Sequence, residues 1–127
     1  MLAEKTRVMV VDDEESVRDT LCENLVECGF DVFPACDGQE AVRLIDTRAV
    51  APHVVITDII MPRQEGLETI IDLRRRYPDI RLLAISGGGR TKSADFLQLA
   101  ARMGADAVMP KPIDIDELEK TVRELVS

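Results

Sequence analysis

The stretch Val8-Met9-Val10-Val11-Asp12-Asp13-Glu14 changes character in its middle, from four apolar residues to three acids. A run of four is too short for a buried helix. Its valines favour the extended chain, so it reads as a strand covered on both faces, as parallel sheets flanked by helices require. The pattern recurs along the chain. Val54 to Ile56 gives way to Thr57 and Asp58, Arg81 to Ile85 to Ser86, and Ala107 to Met109 to Pro110 and Lys111. A weaker fifth strand is expected at Phe30 to Ala35.

Between these runs lie amphipathic segments. Val17, Leu21, Leu25 and Cys28 recur at helical spacing; Gly29 can end that helix, and Ser16 or an acid before it can cap it. Further helices are expected at about Gln39 to Thr47, Glu65 to Tyr77, Thr91 to Met103 and Asp116 to Val126. Five alternations of strand and helix predict an α/β fold, a doubly wound parallel sheet with helices on both faces. Proline cannot donate to a sheet ladder, so Pro34 and Pro110 place the second and fifth strands at edges. A flavodoxin-like (βα)5 arrangement with strand order 2-1-3-4-5 satisfies both. In such sheets ligands bind beyond the carboxyl ends of the strands, where the order reverses between strands one and three. Asp12, Asp13, Glu14, Asp58, Ser86 and Lys111 all fall at that edge.

The 127 residues suit one domain able to bury a sizeable core, and the expected domain spans the chain, with its core at about residues 7–126. A net charge of -8 repels polyphosphate, which argues against direct nucleic-acid binding. The one basic run, Arg74 to Arg76, reads as the solvated face of a helix. Cys22, Cys28 and Cys36 are odd in number and lack metal-ligand spacing, so reduced thiols in a cytoplasmic protein are expected. The opening stretch MLAEKTR lacks the apolar core of a secretory signal, and no apolar run approaches the length of a membrane span.

Carboxylates gathered within a few ångströms repel one another, and a divalent cation resolves the conflict. Magnesium suits the set because it takes oxygen ligands, binds through one or two carboxylates and keeps room for phosphate oxygens; the absence of nearby His or Cys argues against zinc. Lys111 and Ser86 would be wasted on a bare metal site. Added to it, they describe a place where a phosphoryl group arrives, with one carboxylate as nucleophile. Taken singly, each residue has an ordinary role as cap, turn residue or surface lysine. Their placement at successive strand ends makes the combination specific.

VVDDE at Val10 to Glu14, TDIIMPRQEG at Thr57 to Gly66, ISG at Ile85 to Gly87 and MPKP at Met109 to Pro112 resemble the CheY-like receiver domain of two-component response regulators. The resemblance runs from about Arg7 to Val126. It implies that Asp58 is phosphorylated, that Asp13 binds magnesium directly and Asp12 through water, and that the backbone carbonyl of Ile60 is a further ligand. It makes Ser86 the switch hydroxyl and Lys111 the phosphate-binding lysine, followed by a cis peptide to Pro112. Met61, Pro62 and Gly66 match the loop that walls the site. Implied partners are a separate sensor histidine kinase or histidine phosphotransfer protein as donor and a downstream protein or output domain as target, with a homodimer through the fourth helix, fifth strand and fifth helix as a family habit. The domain is not expected to be a conventional enzyme, although it catalyses its own phosphoryl transfer and loss.

One departure stands out. Where many members carry Tyr or Phe three residues before the lysine, this chain has Val108, which excludes an aromatic rotamer switch at that position. Gly87, Gly88 and Gly89 are then either a hinge for output or simply a flexible loop. They are no nucleotide loop, since neither GxGxxG nor GxxxxGK[ST] is present. His53, the only histidine, precedes the third strand and reads as a surface or packing residue, so the phosphodonor lies in another protein. Two rivals remain. A haloacid-dehalogenase-like phosphatase expects DxDx[TV], which Asp12-Asp13-Glu14-Glu15 does not supply; a receiver-like binding module would keep the shape without turning over phosphate. The chain ends with the fifth helix, leaving either a stand-alone regulator or a part of a longer one; the start Met and short polar lead are compatible with a natural N-terminus.

Overall fold

The computed structural model describes residues 5–47, 49–58, 65–86, 98 and 100–127. Ile60, Met61, Pro62, the three glycines 87–89 and most of the expected fourth helix lie outside them. Five parallel strands form one sheet: β1 (Arg7–Val11), β2 (Asp31–Ala35), β3 (Val54–Asp58), β4 (Arg81–Ser86) and β5 (Ala107–Pro110). Their order is β2-β1-β3-β4-β5, as expected, and the proline-bearing strands are the two edges.

The helices are α1 (Glu15–Glu27), α2 (Gly38–Asp46), α3 (Glu65–Arg76), α4 at residues 98 and 100–103, and α5 (Ile115–Val126). Gly29 follows α1 at φ +99°, a left-handed conformation that costs glycine little and ends the helix. At the other end Glu14 holds the cap position without a side-chain hydrogen bond, and Ser16 lies inside the helix. Asp37 and Asp114 cap α2 and α5 by accepting first-turn N–H groups.

Strand alternation sorts the core into two layers. Val8, Val10, Val54, Ile56, Leu83 and Ile85 face Leu21, Leu25, Leu118 and Val122 of α1 and α5. Met9, Val11, Val55, Leu82 and Ala84 face α2, α3 and α4 on the opposite side. This double coverage is why the strands read as unbroken apolar runs.

One reading changes and another narrows. Arg74 is not on a solvated face: its guanidinium donates to the carbonyls of Gly104 (3.0 Å), Pro78 (2.9 Å) and Ile80 (3.1 Å) and pairs with Asp106. Three carbonyls left over at chain turns, plus one carboxylate, offer this arginine more than water does. Arg75, with a side chain 78% exposed, does fit the solvated reading. His53 proves to be a packing residue: its Nδ1 accepts the Arg7 N–H (2.9 Å), and its own backbone bridges β1 and β4 through Arg7 O and Arg81 N.

Candidate functional site

The sheet delivers the site residues by register. Val11 lies beside Thr57, so the next step along both strands sets Asp12 beside Asp58, and Asp58 in turn lies beside Ile85. Ser86 ends β4 opposite Pro110, and Lys111 is the residue that follows. The Lys111 N–H donates to Ser86 O (2.9 Å), which ties the last strand end to its neighbour. The Lys111–Pro112 peptide is cis.

At this edge Lys111 Nζ donates to Asp58 Oδ2 at 2.6 Å and stands 3.9 Å from Asp12 Oδ2. One ammonium therefore bridges two carboxylates from different strands. Asp12 and Asp58 are buried, Ser86 is wholly so, and Asp13 is exposed beside them. Burial pushes the Asp12 carboxyl above its ordinary range; the Glu14 N–H on Oδ1 (2.9 Å) and the Lys111 charge oppose this, while the charges of Asp58 and Asp13 add to it. Burial pulls Lys111 down, but its bond to Asp58 and the charges of Asp58, Asp12 and Glu14 outweigh that and leave the ammonium firmer than usual.

Among the described residues no three His, Cys, Asp or Glu side chains converge on one point as a closed metal cage. What stands here is an open set: two buried carboxylates, one exposed one, and a cation that offsets them only in part. An all-oxygen set of this kind fits magnesium, which keeps several waters and needs few protein ligands. Of the residues expected at the site, the fold brings together Asp12, Asp58 and Lys111, sets Asp13 and Ser86 alongside, and leaves Ile60 outside the description.

The model of the family described as the response regulator receiver domain matches residues 8–123. The chain belongs to this family. Response regulator MprA of Mycolicibacterium vanbaalenii is 35% identical over 120 residues, which cover 94% of the chain and 50% of that protein. Sensor kinase CckA of Brucella abortus is 30% identical over 125 residues, covering 98% of the chain but 13% of the kinase. The chain thus spans half or less of the length of these relatives. A receiver domain structure from Clostridium thermocellum superposes with a TM-score of 0.85 at 24% identity, covering 95% of this chain and 94% of that one, a likeness of fold. Receivers relay signals from sensor kinases to output domains; phosphoryl acceptance and magnesium are typical of them.

In this receiver one contact near the acids escapes a sequence reading. Arg18, one turn into α1, donates from Nη1 to the backbone carbonyl of Asp12 at 2.8 Å. Spacing alone gives a weak signal for it, since an arginine five residues after an acidic pair serves equally well as a surface charge. Val108 on β5 is 38% exposed, an aliphatic surface where an aromatic switch would sit. Among the described residues no helix is long and apolar enough to cross a membrane.

Proposed function

We propose that this receiver accepts a phosphoryl group on Asp58 from a phosphohistidine of a separate histidine kinase or phosphotransfer protein, in a magnesium site formed by Asp13, Asp12, Asp58 and the Ile60 carbonyl. The whole chain acts as one receiver unit in the cytoplasm, and the change at Asp58 controls a downstream protein or output domain. The reading is carried by the 2.6 Å pair between Lys111 Nζ and Asp58 Oδ2, made next to a second buried carboxylate.

An Asp58 oxygen attacks phosphorus in line; the new P–O bond forms as the P–N bond breaks, and the imidazole leaves with its electron pair and is reprotonated by solvent. When bound, magnesium supplies positive charge that keeps the carboxylates ionised and offsets charge on the phosphoryl oxygens. Lys111, already on Asp58 Oδ2, needs only a small shift to pair with the incoming group. Ser86, at the neighbouring strand end, donates its hydroxyl to a phosphoryl oxygen. Water later cleaves the acyl phosphate, releases inorganic phosphate and restores the carboxylate.

With Val108 in place of an aromatic, output runs through backbone shifts beyond β4, by favouring a conformation that the resting protein already samples. The face of α4, β5 and α5 that carries Val108 serves pairing with a second copy.

Incubation with magnesium and a small phosphodonor should add one phosphoryl mass to the wild type and none to Asp58→Asn. Magnesium binding without phosphorylation by small donors or by phosphohistidine proteins would favour the binding-module reading instead.

A further inference from the structure

We infer that Arg18 is a positioning residue for the cation: its guanidinium fixes the Asp12–Asp13 peptide and thereby aims the Asp13 carboxylate. The inference rests on the magnesium site proposed above. Its starting point is how fully Asp12 is held. The Asp12 N–H donates to Ala35 O (3.1 Å), its Oδ1 accepts from Glu14 N–H (2.9 Å), and its Oδ2 faces Lys111. Its carbonyl is taken by Arg18 Nη1 at 2.8 Å.

That last contact matters for the next residue. A peptide is planar, so the oxygen of Asp12 and the nitrogen and Cα of Asp13 share one rigid unit, and anchoring that oxygen fixes the backbone before Asp13. Glu14, held through its N–H on Asp12 Oδ1 and its carbonyl in the first turn of α1, fixes the backbone after it, and together they narrow the directions in which the Asp13 side chain can leave. Asp13 is exposed, and no hydrogen bond or ion pair holds its carboxylate among the described residues. Its aim therefore comes from the backbone. Arg18 is well placed to supply it, because its own N–H closes the first turn of α1 on Glu14 O (2.9 Å) and its side chain reaches back over that turn. The guanidinium thus couples the first turn of α1 to the loop that carries both acids.

Charge and position predict opposite results here, which gives a test by sign. If Arg18 acted only as a nearby positive charge, its removal would strengthen magnesium binding, since like charges repel. If it aims Asp13, its removal weakens binding, by about tenfold on the scale seen when groups that orient metal ligands are lost. Magnesium affinity by calorimetry is the readout, with thermal unfolding alongside. Arg18→Gln should raise the Kd about tenfold while the melting temperature falls only slightly. Arg18→Lys, which can still reach the carbonyl with one N–H, should recover part of the loss. Arg75→Gln, on the solvated face of α3, removes the same charge and should leave the Kd within about twofold. Unchanged or tighter binding by Arg18→Gln overturns the inference while leaving the magnesium site standing. A wild type that binds no magnesium overturns the site and this role together.

Discussion

At the scale of single residues, Asp12 shows how a site can oppose stability. Its carboxyl is pushed upward first by burial and then by the like charges of Asp58 and Asp13, a cost to folding that the proposed cation would offset. Asp12→Asn keeps the acceptor for Glu14 N–H and removes the charge, so the metal-free protein should gain about 1 kcal/mol against urea while losing magnesium affinity. His53 ties stability to pH. Its Nδ1 accepts a backbone N–H, and burial first, then the Arg7 charge, push its pKa below the ordinary value. The unfolded chain therefore takes up the proton more readily, and this part of the stability is full above roughly pH 6.5 and lost as the pH falls through the folded-state value. Urea titrations at a series of pH values should show that decline in the wild type and a flatter profile in His53→Gln; equal slopes would contradict it. Asp12 and the histidine were both visible in the sequence. What could not be read there was which ring nitrogen accepts, because the donor is a main-chain group 46 positions away.

Among the elements, the strands were legible because apolar runs give way to polar residues at the same edge, so Asp12, Asp58, Ser86 and Lys111 announced the fold and pointed to one candidate site. Arg74 and Arg18 were not legible for a common reason: apart from Asp106, their partners are carbonyls, which every residue possesses and no motif marks. The Arg74 clamp lies at the edge of the sheet remote from Lys111, where it joins the end of α3 to the turn before β4 and to the turn between α4 and β5. Asp106 completes it by accepting the Leu82 N–H (2.8 Å) as well. Arg74→Ala leaves these carbonyls without their side-chain donor and takes one partner from Asp106, which keeps the Leu82 N–H, and should cost about 2 kcal/mol, whereas Arg75→Ala, exposed on the same helix, should cost under about 0.5 kcal/mol. Equal effects would return the whole arginine run to the solvated reading.

Over the whole molecule, two apolar layers hold a sheet whose carboxyl edge concentrates negative charge on a chain that already carries a net charge of -8. A cation bound by the folded state alone stabilises it by mass action, so magnesium at about a hundred times its Kd should add about 2.7 kcal/mol, an increment that a chelator abolishes and Asp12→Asn largely lacks. The doubly wound order followed from the two prolines at the edges, and family membership followed from motifs spread across almost the entire chain. The most direct measurement is to treat the protein with magnesium and a phosphodonor, reduce the product with borohydride and map the modified residue by tandem mass spectrometry. An acyl phosphate on Asp58 predicts homoserine at position 58 and nowhere else; homoserine at another carboxylate, or none in a protein that has gained phosphoryl mass, would contradict the account.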